Sequence, residues 1–244
     1  MLEFPGGIYA ITPETADTER LLTLVQAALA GGVAAVQYRD KSGDVARRHE
    51  QASELVALCR RFGVPLIVND DLRLADLADA DGVHLGRDDA SLREARIILG
   101  KDKFIGASCY QSLDLALAAQ SAGADYVAFG SFFASPTKPS APRASLDLAL
   151  AAQAAGADYV AFGSFFASPT KHAAPRASLD LLREAAPRIA VPLVAIGGIT
   201  RANAAQLLDA GADSLAVSSG LFDAPDIRAA AHDLNQLFEL ESEQ

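Results

Sequence analysis

Short, almost unbroken apolar runs recur along the chain between longer stretches in which apolar residues return every three or four positions. The runs start at Ile8 (IYAIT), Ala34 (AAVQYR), Pro65 (PLIVND), Gly82 (GVHLG), Phe104 (FIGAS), Tyr126 (YVAFGS), Tyr159 (YVAFGS again), Pro192 (PLVAIGG) and Ser214 (SLAVSSG). Their length and β-branched content predict strands, and their lack of alternation suits strands covered by helices, as in a parallel sheet. Residues 18–30, 44–61 and 203–209 have the period of helices. Several predicted helices end in Gly-Ala or Gly-Val, where glycine supplies the left-handed cap. This βα rhythm predicts an α/β protein, a (β/α)8 barrel, for which eight units suffice. The nine candidate strands are one too many.

The surplus has a visible source. Residues 112–144 and 145–177 are consecutive 33-residue blocks that agree at 30 positions and differ only at Ser121/Ala154, Pro139/His172 and Ser140/Ala173. Each block holds one helix, one strand and one long loop. Removing one 33-residue block from 244 leaves 211 residues and eight strands. A period of this length also occurs in solenoids, but those need at least three stacked units, and here the block occurs in full twice. The expectation is one barrel domain over residues 1–244, with one of the tandem copies in excess of the barrel. Near-identity points to a recent or engineered event.

Composition narrows the function classes. Half of the residues are hydrophobic, enough for a sizeable single core. No run approaches the roughly 20 apolar residues of a membrane helix, and MLEFPGG lacks the features of a signal peptide, so a cytoplasmic protein is expected. A formal charge of −10 argues against electrostatic binding to nucleic acid or an anionic membrane. A small anionic ligand in a locally positive site stays open. Cys59 and Cys109 form neither a metal motif nor a disulfide framework and read as buried thiols.

In such a barrel the chemistry sits at the C-terminal ends of the strands. The second run ends in QYRDK, where Gln37, Arg39 and Lys41 share one face of an extended segment and the two cations can reach one polyphosphate. Plain surface charge is the alternative reading. The third run ends at Asn69 and Asp70, and the fourth carries His84 and Asp89. Asp70 and Asp89, from adjacent strand ends, can share a hard cation such as Mg2+ together with substrate phosphate oxygens, or they can cap the helices that follow. AIGGIT and AVSSG after the last two runs leave backbone N–H groups free to cradle a phosphate. SPTK follows the sixth run and would hang over the barrel mouth between the two anion sites.

In order and spacing, VQYRDK, LIVNDD, ADGVHLGRDD, IGAS, GADYVAFGSFFASPTK, VAIGGI and AVSSG resemble the thiamine-phosphate synthases, over nearly the whole chain except one block. The resemblance implies a barrel enzyme, a Mg2+-dependent transferase of thiamine biosynthesis. It joins 4-amino-5-hydroxymethyl-2-methylpyrimidine diphosphate to 4-methyl-5-(2-hydroxyethyl)thiazole phosphate and releases diphosphate. It further implies that Gln37, Arg39, Lys41, Asn69, His84 and Ser108 contact the pyrimidine diphosphate, with Mg2+ on Asp70 and Asp89. The SPTK lysine, Lys138 or Lys171, would also reach that diphosphate. Ser135 and Thr137, or Ser168 and Thr170, with Gly198, Ser218 and Ser219, would hold the thiazole phosphate. Tyr38 stands where the family usually has Leu, and it should point away from Arg39.

The duplication leaves two candidates for the sixth strand, since a barrel's strand number, tilt and shear are linked. The second copy is favoured because SPTKHAAPRASLDLL runs directly into the helix that leads to the next strand, making Lys171 rather than Lys138 the catalytic lysine. An unpaired apolar strand would invite self-association, so a homo-oligomer is an open expectation. Two other readings compete: a thiazole tautomerase, disfavoured because Ser131 or Ser164 stands where that enzyme carries histidine, and a non-catalytic, self-associating barrel whose mouth the duplication has disturbed.

Overall fold

In the computed structural model, residues 5–110, 112–130, 146–154, 156–167 and 177–242 are described. Parallel strands alternate with helices around a closed barrel: β1 (Gly7–Ile11), β2 (Ala35–Tyr38), β3 (Leu66–Asn69), β4 (Gly82–Leu85), β5 (Phe104–Tyr110), β6 (Tyr126–Gly130), β7 (Val160–Gly163), β8 (Leu193–Ile196) and β9 (Ser214–Val217). Each strand pairs with its sequence neighbours and β9 closes on β1. The outer layer includes α1 (Thr18–Ala30), α2 (Val45–Phe62), α3 (Leu72–Leu77), α4 (Leu92–Leu99), α5 (Leu113–Ser121), α6 (Leu146–Ala154), α7 (Leu179–Ala185) and α8 (Arg201–Leu208). The short α9 (Ser219–Phe222) and the long α10 (Ile227–Ser242) complete it. Asp17, Asp44, Asp71, Ser91, Ser112 and Ser178 accept backbone N–H bonds at the starts of α1–α5 and α7, ending each strand-to-helix loop with a cap.

The α/β barrel expected from the sequence is present, but it has nine strands rather than eight, and neither copy's strand lies outside it. β6 and β7 pair in perfect copy register: Val127, Ala128, Phe129 and Gly130 lie beside Val160, Ala161, Phe162 and Gly163. The physical reason is that the duplicated piece is a whole helix–strand unit. Both edges of its strand are competent to pair, and its helix covers the apolar outer face. Closing the ring with nine strands avoids the unpaired apolar edge that exclusion of one copy would leave.

Period-two alternation sorts the strand residues. Ile8, Val36, Tyr38, Val68, Val83, Val127 and Val160 face the helices, whereas Tyr9, Ala35, Ile67, Phe104, Tyr126, Tyr159, Ala161, Val194 and Ala216 form a second core inside the barrel. A ninth strand widens the interior, and the stacked Tyr126 and Tyr159 rings, 4.2 Å apart, help fill it. Tyr38 points outward as expected, its hydroxyl donating to Gln51 Oε1 of α2 at 2.8 Å. Cys59 and Cys109 are buried free thiols, and burial pushes both up to about 12.

The junction between the copies is less well satisfied than the older contacts. At the strand N-termini, Asp81, Asp125 and Asp213 each accept the backbone N–H of the preceding strand, from Leu66, Ile105 and Leu193 at 2.9, 2.6 and 2.7 Å. Asp125 also pairs with Arg96 at 2.7 Å. Asp158, the second-copy counterpart of Asp125, makes no such bond among the described residues, and burial and the nearby Asp125 charge raise its pKa. Gln153 accepts from Ala190 N at 2.5 Å and Val191 N at 3.3 Å, whereas the buried amide group of its first-copy counterpart Gln120 has no hydrogen-bond partner among the described residues. A raised carboxyl pKa means that folding loses stability as pH rises through that value. Asp158→Asn is therefore expected to raise the melting temperature at pH 7 and to have no effect once the carboxyl is protonated in both states, below about pH 3. Thermal unfolding of both proteins at the two pH values checks this.

Candidate functional site at the C-terminal mouth

The interior rows that begin with apolar residues end in polar ones. Gln37, Asn69, His84 and Ser108 follow Ala35, Ile67, Gly82 and Gly106 at the next inward position of β2, β3, β4 and β5. This is the hydrogen-bonding floor of the mouth. Asn69 lies directly beside His84 in the sheet. Gln37 donates from Nε2 to the Tyr9 hydroxyl at 2.9 Å, and His84 lies between Tyr126 and Ser108. Burial holds the His84 imidazole down to about 4, even though the Asp70 charge pulls the other way, so it is neutral near pH 7.

Above this floor, the loop after β2 carries the two cations. Arg39 N donates to Thr12 Oγ1 at 3.0 Å and Lys41 N donates to Glu14 Oε2 at 3.2 Å, so side chains after β1 hold both backbone positions. Asp40 between them turns away, accepting from Ser42 N at 2.6 Å and pairing with Arg47 at 3.4 Å. The Lys41 ammonium reaches across to the Asp70 carboxylate. Asp70 sits at φ 67°, a left-handed conformation uncommon outside glycine. Its N–H is anchored on the His84 carbonyl at 2.7 Å, which offsets the cost.

Asp89 completes a carboxylate pair. Its Oδ2 accepts from Gly86 N at 2.6 Å. Burial raises the Asp89 pKa, and the neighbouring Asp70 raises it further by its charge and hydrogen bonding. The structure thus brings Lys41, Asp70 and Asp89 into one cluster. Among the described residues there is no group of three or more His, Cys, Asp or Glu side chains able to hold a metal.

The second half of the mouth is built from β7, β8 and β9. Phe165 N and Phe166 N donate to the carbonyls of Ile196 and Gly197 at 3.2 and 3.0 Å, lacing the start of the loop after β7 to the loop after β8. Gly198 has φ 65°, and a Cβ there would lie 2.4 Å from the Ala167 carbonyl oxygen, so only glycine allows this approach. Ser218 precedes α9 and Ser219 begins it. Ser135, Thr137, Lys138, Ser168, Thr170 and Lys171 lie outside the described residues, as do Ser131 and His172. Thr12, Glu14, Tyr9 and Tyr126 are the partners that reading the sequence missed. Tyr9 and Tyr126 carried one available signal, a tyrosine at an inward position of an otherwise apolar strand.

Comparisons with known proteins agree with this architecture. The sequence model of the thiamine monophosphate synthase family matches residues 8–149 and 143–221. The two matched stretches overlap across the boundary between the copies. A thiamine-phosphate synthase of Thiobacillus denitrificans is 68% identical over 100% of both chains. One of Methylobacillus flagellatus is 49% identical over 95% of each. Among solved structures, a thiamine phosphate pyrophosphorylase of Pyrococcus furiosus superposes with a TM-score of 0.66 at 31% identity, covering 96% of each chain. At 16% identity, (S)-3-O-geranylgeranylglyceryl phosphate synthase of Thermoplasma acidophilum has a TM-score of 0.64 over 96% of this chain and 94% of its own, a likeness of fold alone. On both the motifs and the full-length similarity, the chain belongs to the thiamine monophosphate synthase family.

Proposed function

We propose that the chain joins 4-amino-5-hydroxymethyl-2-methylpyrimidine diphosphate to 4-methyl-5-(2-hydroxyethyl)thiazole phosphate, forming thiamine phosphate and diphosphate. What supports this reading is the clustering of Lys41 with Asp70 and Asp89, on a loop that also carries Arg39, beside strand ends that bear neutral hydrogen-bonding side chains. In the reaction the bond between the pyrimidine methylene carbon and the diphosphate oxygen breaks, and the leaving group takes both electrons. The thiazole ring nitrogen then supplies its lone pair to the methylene, and no proton changes place. The aminopyrimidine can carry positive charge at that carbon, so no protein nucleophile is needed.

Arg39 and Lys41 neutralise the charge growing on the diphosphate, the largest single contribution expected of such a site. A neutral His84 puts no opposing charge beside the cationic methylene. The donor set fits Mg2+: two neighbouring carboxylates, one with its pKa raised by the other, are what a hard cation with oxygen ligands relieves. Asp70 and Asp89 would hold it, and when bound it supplies positive charge to the diphosphate oxygens. Incubating the protein with both phosphorylated precursors is expected to yield thiamine phosphate with Mg2+ and none after chelation. A folded protein that makes no product under either condition would overturn the reading.

The second copy is proposed to supply the working SPTK loop. Ser164 O accepts from Ala177 N at 2.7 Å, so both ends of the segment containing Ser168, Thr170 and Lys171 are tied beside Gly197 and Gly198. That tie supports thiazole phosphate held between this loop, Gly198, Ser218 and Ser219. Lys171→Ala is expected to abolish turnover while Lys138→Ala retains most of it. The reverse outcome would assign the role to the first copy.

A further inference from the structure

The barrel interior contains a hydrogen-bond chain that the charge chemistry above does not use. Gln37 Nε2 donates to the Tyr9 hydroxyl at 2.9 Å. The hydroxyls of Tyr9 and Tyr159 both bond to that of Tyr126. Tyr126 in turn lies 3.1 Å from His84 Nδ1, and His84 Nε2 lies 2.9 Å from Ser108 Oγ. The Tyr126 and His84 rings are stacked with centroids 5.5 Å apart. Tyr126 reaches this place across Gly106, where a Cβ would lie 2.0 Å from its Cζ.

Counting protons gives the chain a direction. The bonds to Tyr126 hold the Tyr9 and Tyr159 protons more tightly and ease loss of the Tyr126 proton, the sense in which Tyr9 and Tyr159 donate and the Tyr126 oxygen accepts. Tyr9 accepts in turn from the Gln37 amide. Both lone pairs of the Tyr126 oxygen are then used, and its single proton points at His84 Nδ1. A neutral imidazole has one acceptor and one donor nitrogen. Nε2 therefore carries the proton and donates to Ser108 Oγ, which leaves the Ser108 proton and the Gln37 amide oxygen for whatever sits in the mouth.

We infer that Tyr126 is a positioning residue: it locks His84 in the Nε2–H tautomer and so presents Ser108 as a donor to the pyrimidine diphosphate. Only the identity of that ligand rests on the proposed function. Tyr159 occupies the same place in the second copy, but β7 is one strand further from β4, so its ring stacks on Tyr126 and its hydroxyl feeds that residue. Two tyrosines in identical local sequence thus have different tasks, set by their neighbours across the sheet.

The test is nitrogen-15 NMR of the full-length protein labelled at histidine, with the His84 signals identified by their loss in His84→Gln. In the wild type, His84 is expected to show a protonated Nε2 and an unprotonated Nδ1. In Tyr126→Phe the imidazole is expected to populate both tautomers. kcat/KM for the pyrimidine diphosphate should then fall about tenfold, as for loss of one buried hydrogen bond. KM for the thiazole phosphate should be unchanged, and Tyr159→Phe should have the smaller effect. A protonated Nδ1 in the wild type, or an unchanged tautomer in a folded Tyr126→Phe, would overturn the inference. Should Tyr126→Phe fail to fold, the wild-type tautomer alone decides. Absence of turnover in the wild type would count against the proposed function and leave the tautomer readout intact.

Discussion

Lys41→Ala is expected to lower kcat by about 10²–10³, the usual cost of removing one group that stabilises developing charge, while the melting temperature stays nearly constant. The Lys41 ammonium is half exposed and its pairing with Asp70 is a surface ion pair, so it contributes little to folding, at most about 1 kcal/mol. Its position beside the Asp70–Asp89 pair is what makes it costly to lose during turnover. Without it, the region that must accept a diphosphate keeps two carboxylates and only Arg39 as a nearby compensating side chain from the β2 loop. Steady-state kinetics beside thermal unfolding separates the two effects. A loss below about threefold at unchanged stability would remove Lys41 from the charge-stabilising role.

The second large effect concerns pH. The His84 imidazole titrates at about 4 in the fold, because burial disfavours its charged form, against an ordinary 6.5. The unfolded chain therefore takes up this proton first as pH falls. The stabilisation is fully present above pH 6.5 and is lost progressively as pH falls to about 4, by which point the loss is about 3 kcal/mol. Urea unfolding at pH 7.5 and pH 4.5 is expected to show this loss in the wild type. In His84→Gln the same pH change should cost correspondingly less. Asp89, whose pKa is raised, acts in the opposite sense: its folded carboxylate is disfavoured as pH rises. It is present in both proteins and drops out of the comparison. Equal pH slopes for the two proteins would mean that His84 titrates alike in the folded and unfolded chains.

Some of the site was readable without a structure because backbone periodicity places it. Once Ala35 and Ile67 are inward, Gln37 and Asn69 two residues later must be inward too, and they fall at the ends of strands where barrel sites lie. Arg39 and Lys41 were legible for the same reason. Tyr9 and Tyr126 were not, because a tyrosine in an apolar strand reads as core, and its hydroxyl partner comes from a distant strand. Thr12 and Glu14, which hold the backbone of Arg39 and Lys41, were hidden by an ordinary loop composition.

By itself, the sequence determined the alternation of strand and helix, the parallel sheet, the tandem block and the chemical types gathered at the strand ends. These follow from local periodicity, capping and spacing, which depend on residues near in the chain. Only the tertiary structure decided how many strands close the ring. Two copies identical at 30 of 33 positions have nearly the same local preferences, so nothing within either could select one over the other. Closure selected both, because each strand edge is satisfied only when β6 joins β5 to β7 and β7 joins β6 to β8. The same neighbours then gave one sequence two environments: Tyr126 lies against His84 and Tyr159 against Tyr126, and Asp125 meets Arg96 while Asp158 meets Asp125.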